Sequence, residues 1–298
     1  MNPLLALINE TSTKQPVTFD ENSEGEVTRI RKQVPAVVHS LSLQDLIVGP
    51  GRISAYDNIV ANSLVSQAGA RITAIPGLEY KKSPEPGNNL MDAIQVHSRF
   101  LTIEAAPFSS IDVMPLNNPE QVKISGKPYL IANYDYESAP VYAVAFTLSR
   151  RDIRDLNNKI ALNAVMSSIH MGLANIVDQV LLAQLEKTIP ALEQPTSAAL
   201  LKAAAARGLR FQELAAIAGG NLSGVEVAQD GTLRAYGIKA ELTKFASSTI
   251  VGAFNRAAVS IEDDFRLTGY RKLNGSIEVV CIIQAQAQVP DSSAFWRV

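Results

Sequence analysis

The chain has 298 residues, 47% of them hydrophobic and 19% charged, with a formal net charge of −2 at pH 7. That length and apolar content suit one or two folded domains, and the near-neutral balance excludes a chain-wide basic field of the kind that holds nucleic acid by neutralising phosphates. A single cysteine, Cys281, excludes an intrachain disulfide framework.

The opening "MNPLLALINE" carries no basic segment ahead of its apolar residues, so it does not read as a signal peptide. No unbroken run of about 18 apolar residues occurs, so no membrane span is expected, and the chain is expected to be soluble and intracellular. Residues 9–35, "NETSTKQPVTFDENSEGEVTRIRKQVP", are polar and mixed in charge and read as an extended arm. Residues 36–80 mix short apolar runs with Gly49, Pro50, Gly51 and Pro76, which predicts short helices and turns.

From 83 to 140 the breakers Pro84, Pro86, Gly87, Pro107, Pro115, Pro119, Gly126, Pro128 and Pro140 separate the strand-like pieces "AIQVHSRFLTI", "EQVKIS" and "PYLIANY". This reads as a long β excursion. "PVYAVAFTLS" follows. Val141, Ala143 and Ala145 share one face, and Tyr142, Val144, Phe146 and Leu148 the other. Both faces are apolar, so the strand should be covered on both sides.

"RRDIRDLNNKIALNAVMSSIHMGLANIVDQVLLAQLEKTIP" then predicts one helix over Arg154–Lys187, about 51 Å long at 1.5 Å per residue. Leu156, Ile160, Ala164, Met171, Ala174, Leu181 and Leu185 form one stripe, and Ile169, Leu173, Ile176 and Val180 a second. A helix apolar on two sides must be covered on two sides. Asn163, Ser167, His170, Asn175 and Gln179 interrupt it too often for a membrane helix.

After Pro190, "TSAALLKAAAARG" predicts a helix capped at Thr196 or Ser197 and stopped at Gly208, and "RFQELAAIAGG" predicts another. "TLRAYGIKAELTK", "SSTIVGAF" and "RAAVSIEDDFRL" read as β segments. The last long segment, "SIEVVCIIQAQAQV" (276–289), alternates strictly. Ile277, Val279, Cys281, Ile283, Ala285, Ala287 and Val289 line one face, while Gln284, Gln286 and Gln288 line half of the other. Fourteen strand residues would reach about 46 Å, against a radius of gyration of about 19 Å for a compact chain of this size. A helix and a strand of that length fit a flat, elongated subunit whose faces are covered by neighbouring copies. A two-residue turn at Asn274–Gly275 sets Arg271 opposite Glu278. It also sets Asp264 and Arg266 against the apolar face, so a longer or bulged turn is expected.

No constellation for catalysis emerges. His39, His97 and His170 are scattered, and no HExxH, paired CxxC or G-x-S-x-G occurs. Glu262, Asp263 and Asp264 are adjacent, so strand geometry sends them to opposite faces, and a solvated or interface charge run is expected over a metal site. Cys281 falls on the apolar face as a small buried hydrophobe. No catalytic, cofactor-binding or metal-ligating residue is assigned, no cofactor is expected, and the chain is not expected to be an enzyme.

The order of these parts resembles the major capsid proteins of tailed double-stranded DNA bacteriophages, with the Hong Kong 97-type fold. The residues that carry the resemblance are Val251–Phe254, Ile277–Val289 and the closing Pro290, Ala294 and Phe295, with the acidic strand start at Glu262–Asp264. The likeness in order covers roughly 85–298. It implies an α+β fold with an N-terminal arm (1–40), an extended β loop (85–138) and an axial domain (190–255). A peripheral domain would comprise 41–84, 139–189 and 256–298, with a spine helix at about 152–188. It implies a coat protein that self-assembles as hexamers and pentamers into an icosahedral shell around double-stranded DNA. The subunit would be assembled in the host bacterial cytoplasm and located in the virion. A separate scaffolding protein, a portal and a decoration protein are the implied partners, with no sequence-specific DNA binding and no membrane. Some relatives join a lysine to an asparagine. Lys123 and Lys127 lie in the loop, with no partner or catalyst assigned. The alternatives are an encapsulin-type nanocompartment shell and a soluble α+β enzyme or ligand-binding protein.

Overall fold

The computed structural model describes residues 2–15, 17–21, 29–33, 35–49, 51–76, 79–82, 91–94, 98–106, 126–156, 158–193 and 195–298. The first element is helix α1 (Pro3–Thr13), capped by the Asn2 side chain, which accepts the Leu4 N–H at 2.9 Å. Leu4, Leu7, Ile8 and Thr11 are its buried residues. The expected arm of 1–40 is therefore not one element. Its first helix is core, because three large apolar side chains at helical spacing gain more from burial than from water. Val17–Glu21 (β1) pairs antiparallel with Arg29–Gln33 (β2).

Residues 36–80, expected as short helices and turns, also supply strands. Val37–Ser42 is β3, and Ile47–Val48 (β4) pairs with Ile53–Ser54 (β5). Helices α2 (Ala55–Asn62) and α3 (Leu64–Gln67) precede β6 (Arg71–Ile75). Glu79–Lys82 (β7) pairs with Met91–Ile94 (β8), and Arg99–Ile103 (β9) with Tyr129–Asn133 (β10). The expected strand "EQVKIS" lies outside the described residues.

Val141–Leu148 is β11. It leads through a Ser149–Asp152 capping box into α4 (Arg150–Asp155). The expected single helix is thus two. Asn158 restarts it by accepting the Ile160 N–H at 2.9 Å, and α5 runs from Lys159 to Thr188, about 45 Å. Asparagine competes for backbone hydrogen bonds, which breaks a helix interior and caps a new one. Ile189 turns extended ahead of Pro190, as the residue before a proline must.

Helix α6 (Ser197–Ala206) is capped by Thr196 as expected. The second helix expected here is instead a 3₁₀ turn (Phe211–Glu213) and strand β12 (Ala215–Ala218). Its small apolar residues pack between two strands, and that tertiary context overrides helix propensity. The remaining strands are β13 (Val225–Val227), β14 (Leu233–Ala235), β15 (Ile238–Leu242), β16 (Ile250–Gly252), β17 (Ala258–Glu262), β18 (Asp264–Arg271), β19 (Ile277–Gln288) and β20 (Phe295–Arg297).

Two six-stranded sheets result. One has the order β3-β18-β19-β17-β6, with β11 also on β19. The β18–β19 register pairs Tyr270 with Glu278 and Arg271 with Ile277, one residue from the two-residue-turn register. The longer turn predicted from the charge conflict is present, closed by Lys272 N–H to Ser276 O at 2.8 Å. The second sheet has the order β13-β14-β15-β12-β16-β20. Its edge strand comes from the chain terminus: Val251 faces Trp296 and Gly252 faces Phe295. The C-terminal residues, expected with the long strands, therefore close the 190–255 sheet.

Helix α5 lies on the first sheet. Ile169, Leu173, Val180, Leu181 and Leu185 are buried, while Ile160 and Met171 of the expected first stripe are exposed. At Gly172 a Cβ would meet both Val144 methyls at 2.9 Å, so glycine lets β11 approach the helix. By length and composition α5 is apolar enough to cross a bilayer. Its buried Asp178 and its packing on β19 are those of a core helix.

Candidate functional site

The long strand β19 has two unlike faces. Ile277, Val279, Cys281, Ile283 and Ala285 are buried under α1 and α5. Cys281 is inert there, its thiol pushed up to about 12 by burial. Across the sheet, the opposite face brings together Val38, Thr268, Val280 and Ala145 in one row and Ser40, Arg266, Ile282 and Ala143 in the next. Helices α1 and α5 do not cover this face. On β11, Val141 (61% exposed), Ala143, Ala145 and Thr147 are open, and on β3 Val38 is 56% exposed. Among the described residues, the expectation that β11 is covered on both sides is met on one side only.

Further along β19 the same face is covered by the root of the 98–135 excursion, and the glutamines make the joint. Gln286 Oε1 accepts the Asp135 N–H at 2.8 Å. Gln288 Oε1 accepts the Ser260 hydroxyl at 2.9 Å, and its Nε2 donates to Ser98 O at 3.3 Å. With its amide nitrogen turned to the carboxylate, Gln284 donates to Glu262 at 2.7 and 2.9 Å. Tyr134 donates its hydroxyl to Glu262 Oε1 at 3.3 Å, and Tyr136 donates to Pro76 O at 3.1 Å. The two tyrosine rings meet edge to face at 4.8 Å beside Ile75 and Ala139. Burial raises the Glu262 carboxyl above its ordinary range, Asp264 adds to that, and the Tyr134 hydrogen bond and Arg266 oppose it. An uncharged amide row suits this joint because it supplies both donors and acceptors without burying unpaired charge.

From this root β9 and β10 run out as a two-stranded ribbon. One face buries Phe100 and Thr102, and the other leaves Leu101, Ile131 and Ile103 (82% exposed) open. Leu101 and Ile131 are direct cross-strand partners, so the open side is a contiguous apolar strip. At the end of β9 away from this root, the ribbon is tied to the rest of the chain through Glu104, 3.5 Å from Arg207. Arg207 and Arg256 both hold the buried Asp291, each at 2.9 Å. Burial works against ionisation of Asp291, but Ser293, Arg256 and Arg207 overcome it and hold the carboxyl below its usual range.

The residues singled out from sequence do not converge. His39 Nε2 lies 3.0 Å from Glu10 Oε2. His170 is buried on α5 with neither ring nitrogen bonded, and His97 lies outside the described residues. Asp263 accepts the Ser42 hydroxyl and the Leu43 N–H at 3.0 Å, whereas Glu262 faces the ribbon root and Asp264 is exposed. The acidic run therefore splits as strand alternation requires, two of its members serving as internal acceptors. Among the described residues no three His, Cys, Asp or Glu side chains gather as a metal set. Lys127 is exposed, and Lys123 lies outside the described residues. The glutamine joint was missed because alternation shows that these residues share a face, not what covers it.

The chain is similar, at low sequence identity, to several solved structures. A satellite phage P4 procapsid chain is 11% identical, covering 82% of this chain and 96% of that one, with a TM-score of 0.49. The Gordonia phage Cozz chain is 14% identical over 79% of this chain and 85% of that one, with a TM-score of 0.47. A virus-like particle from Pyrococcus furiosus is 12% identical over 82% and 95%, with a TM-score of 0.43. No family model matches the chain, and no curated protein matches it.

Proposed function

We propose that the protein is the major capsid subunit of a tailed bacteriophage, a Hong Kong 97-type coat protein that self-assembles into an icosahedral shell around double-stranded DNA. The observation that carries this is the half-covered sheet. The apolar face built by Val141, Ala143, Ala145, Val280 and Ile282 spans β11 and β19, and among the described residues no helix or second sheet lies on it. An apolar sheet face of this kind calls for a covering layer, and the exposed strip of Leu101, Ile103 and Ile131 on the ribbon calls for a surface to cover it. Neighbouring copies supply both in a tiled shell.

In this reading residues 190–255, closed by β20, form the axial domain, with hexamers and pentamers as the building rings. The sheet of β3, β6, β11 and β17–β19 with the spine helix α5 forms the peripheral domain, and 85–138 the extended loop. Scaffolding, portal and decoration proteins are the expected partners, and the virion the location, after assembly in the host cytoplasm. The test is electron microscopy of the purified chain, with size-exclusion chromatography beside it. Closed shells of uniform size are expected; a 32.1 kDa monomer under all assembly conditions would overturn the proposal.

A further inference from the structure

The near-neutral total charge conceals a local concentration of cations. Ser12, Arg150, Ile153, Arg154, Arg271 and Gly275 line an open cleft of about 500 Å³ where α4 meets the β18–β19 turn and the end of α1. Arg150 and Arg154 are one helical turn apart and exposed. Arg271 is fixed from behind, its Nη1 donating to Ser12 O at 2.6 Å and Lys14 O at 3.1 Å. Gly275 sits in the left-handed region at φ 82°, and a Cβ there would collide with the Arg150 guanidinium. Glycine thus both closes the turn and leaves room for that side chain.

Among the described residues no carboxylate comes within ion-pair distance of Arg150, Arg154 or Arg271, although other arginines, at 207, 234 and 256, are paired. The nearby carboxylate Asp152 closes the capping box with Ser149, and Glu278 is 3.1 Å from Lys272. Asp155 is the remaining acid on α4 and lies outside the cleft lining. Three guanidiniums around one cleft cost electrostatic repulsion in the free chain. Their planar donor forks match phosphate oxygens, which take two hydrogen bonds at once.

We propose that this cleft binds the phosphodiester backbone of nucleic acid, gripping consecutive phosphates without reading bases. The source of the phosphates, the duplex inside the shell, rests on the coat-protein reading above. The chemistry of the cleft does not.

The test uses the full chain as unassembled subunit and a short labelled DNA duplex of mixed sequence, titrated at two salt concentrations, with inorganic phosphate as competitor. Arg150→Gln with Arg154→Gln should weaken duplex binding about tenfold and lower the salt slope by about two, one per lost phosphate contact. Lys239→Gln, on the second sheet, should leave both unchanged. Unaltered melting temperatures show that the variants fold. Wild-type affinity in the double variant would overturn the proposal, and so would equal occupancy by inorganic phosphate with no preference for duplex. Particle formation is read separately. Shells with arginine-independent binding remove this inference alone. Arginine-dependent binding without shells removes the coat reading and leaves the cleft.

Discussion

Gln286 Oε1 accepts the backbone N–H of Asp135 at 2.8 Å, joining the longest described strand to the root of the β9–β10 ribbon across 151 positions of sequence. Beside it, Gln288 holds both Ser260 and Ser98. The joint is polar and local, so loosening it should free the ribbon without unfolding the sheet. Gln286→Ala combined with Gln288→Ala removes three hydrogen bonds, each worth about 1 kcal/mol net. Amide hydrogen exchange over Arg99–Ile103 and Tyr129–Asn133 should speed up at least about tenfold, with α5 unaffected. Unchanged exchange in the ribbon would mean that the glutamines are not its anchor.

Asp178 offers a second test, of how the spine helix organises its neighbours. Its carboxylate is buried and accepts the Ser63 hydroxyl at 2.7 Å, the Val65 N–H at 3.0 Å and the Leu64 N–H at 3.1 Å, so α5 caps the start of α3. Asp178→Ala strands these donors and should cost about 2–4 kcal/mol in urea unfolding. Asp178→Asn keeps an acceptor and should lose less. Equal losses for the two variants would show that packing, not capping, sets the cost.

His170 predicts an acid response. Burial lowers its pKa from 6.5 to about 4. The unfolded chain therefore binds a proton that the folded chain refuses between these values, and stability falls as pH drops through that window. From about pH 7 to about pH 5 this residue should remove about 2 kcal/mol. His170→Leu should show a correspondingly flatter stability profile over the same range. A profile parallel to wild type would place the pH sensitivity elsewhere.

Much of this architecture is written in periodicities. The stripe of Ile169, Leu173, Ile176 and Val180 locates the buried side of α5, and the alternation from Ile277 to Ala285 locates the covered face of β19. The conflict between Asp264 and an apolar face was enough to lengthen the turn before β19. Other features leave no such trace. Ala215–Ala218 is strand because β15 and β16 flank it, which no local propensity encodes. Phe295–Arg297 joins a sheet whose other strands lie some forty or more positions earlier. The ribbon joint and the basic cleft each need residues more than a hundred positions apart, Asp135 with Gln286 and Arg150 with Arg271, and only the fold brings them together.

Ile169 tests the packing of α5. It is fully buried, so Ile169→Asp places an unpaired charge in the core at a cost of about 3–5 kcal/mol. Soluble assembly should be abolished because the subunit itself fails. Wild-type particle yield would refute the placement of this helix face.

A change on the other side of the same sheet should separate folding from assembly. Ala145 lies on the open face of β11, opposite Val280, with Ala143 and Thr147 on either side. In the free subunit a lysine there projects into water, and a surface change of this kind costs within about 0.5 kcal/mol. In a shell where a neighbour covers the face, the same ammonium loses its hydration, and an unpaired buried charge costs several kcal/mol or more. The penalty is repeated in every copy, so a small loss per contact becomes a large loss per particle. Ala145→Lys should therefore melt like wild type yet elute as free subunit or small oligomer in size-exclusion chromatography. An uncharged Ala145→Ser control should assemble. Normal shells from the lysine variant would show that this face stays in water, which would remove the observation on which the coat-protein proposal stands.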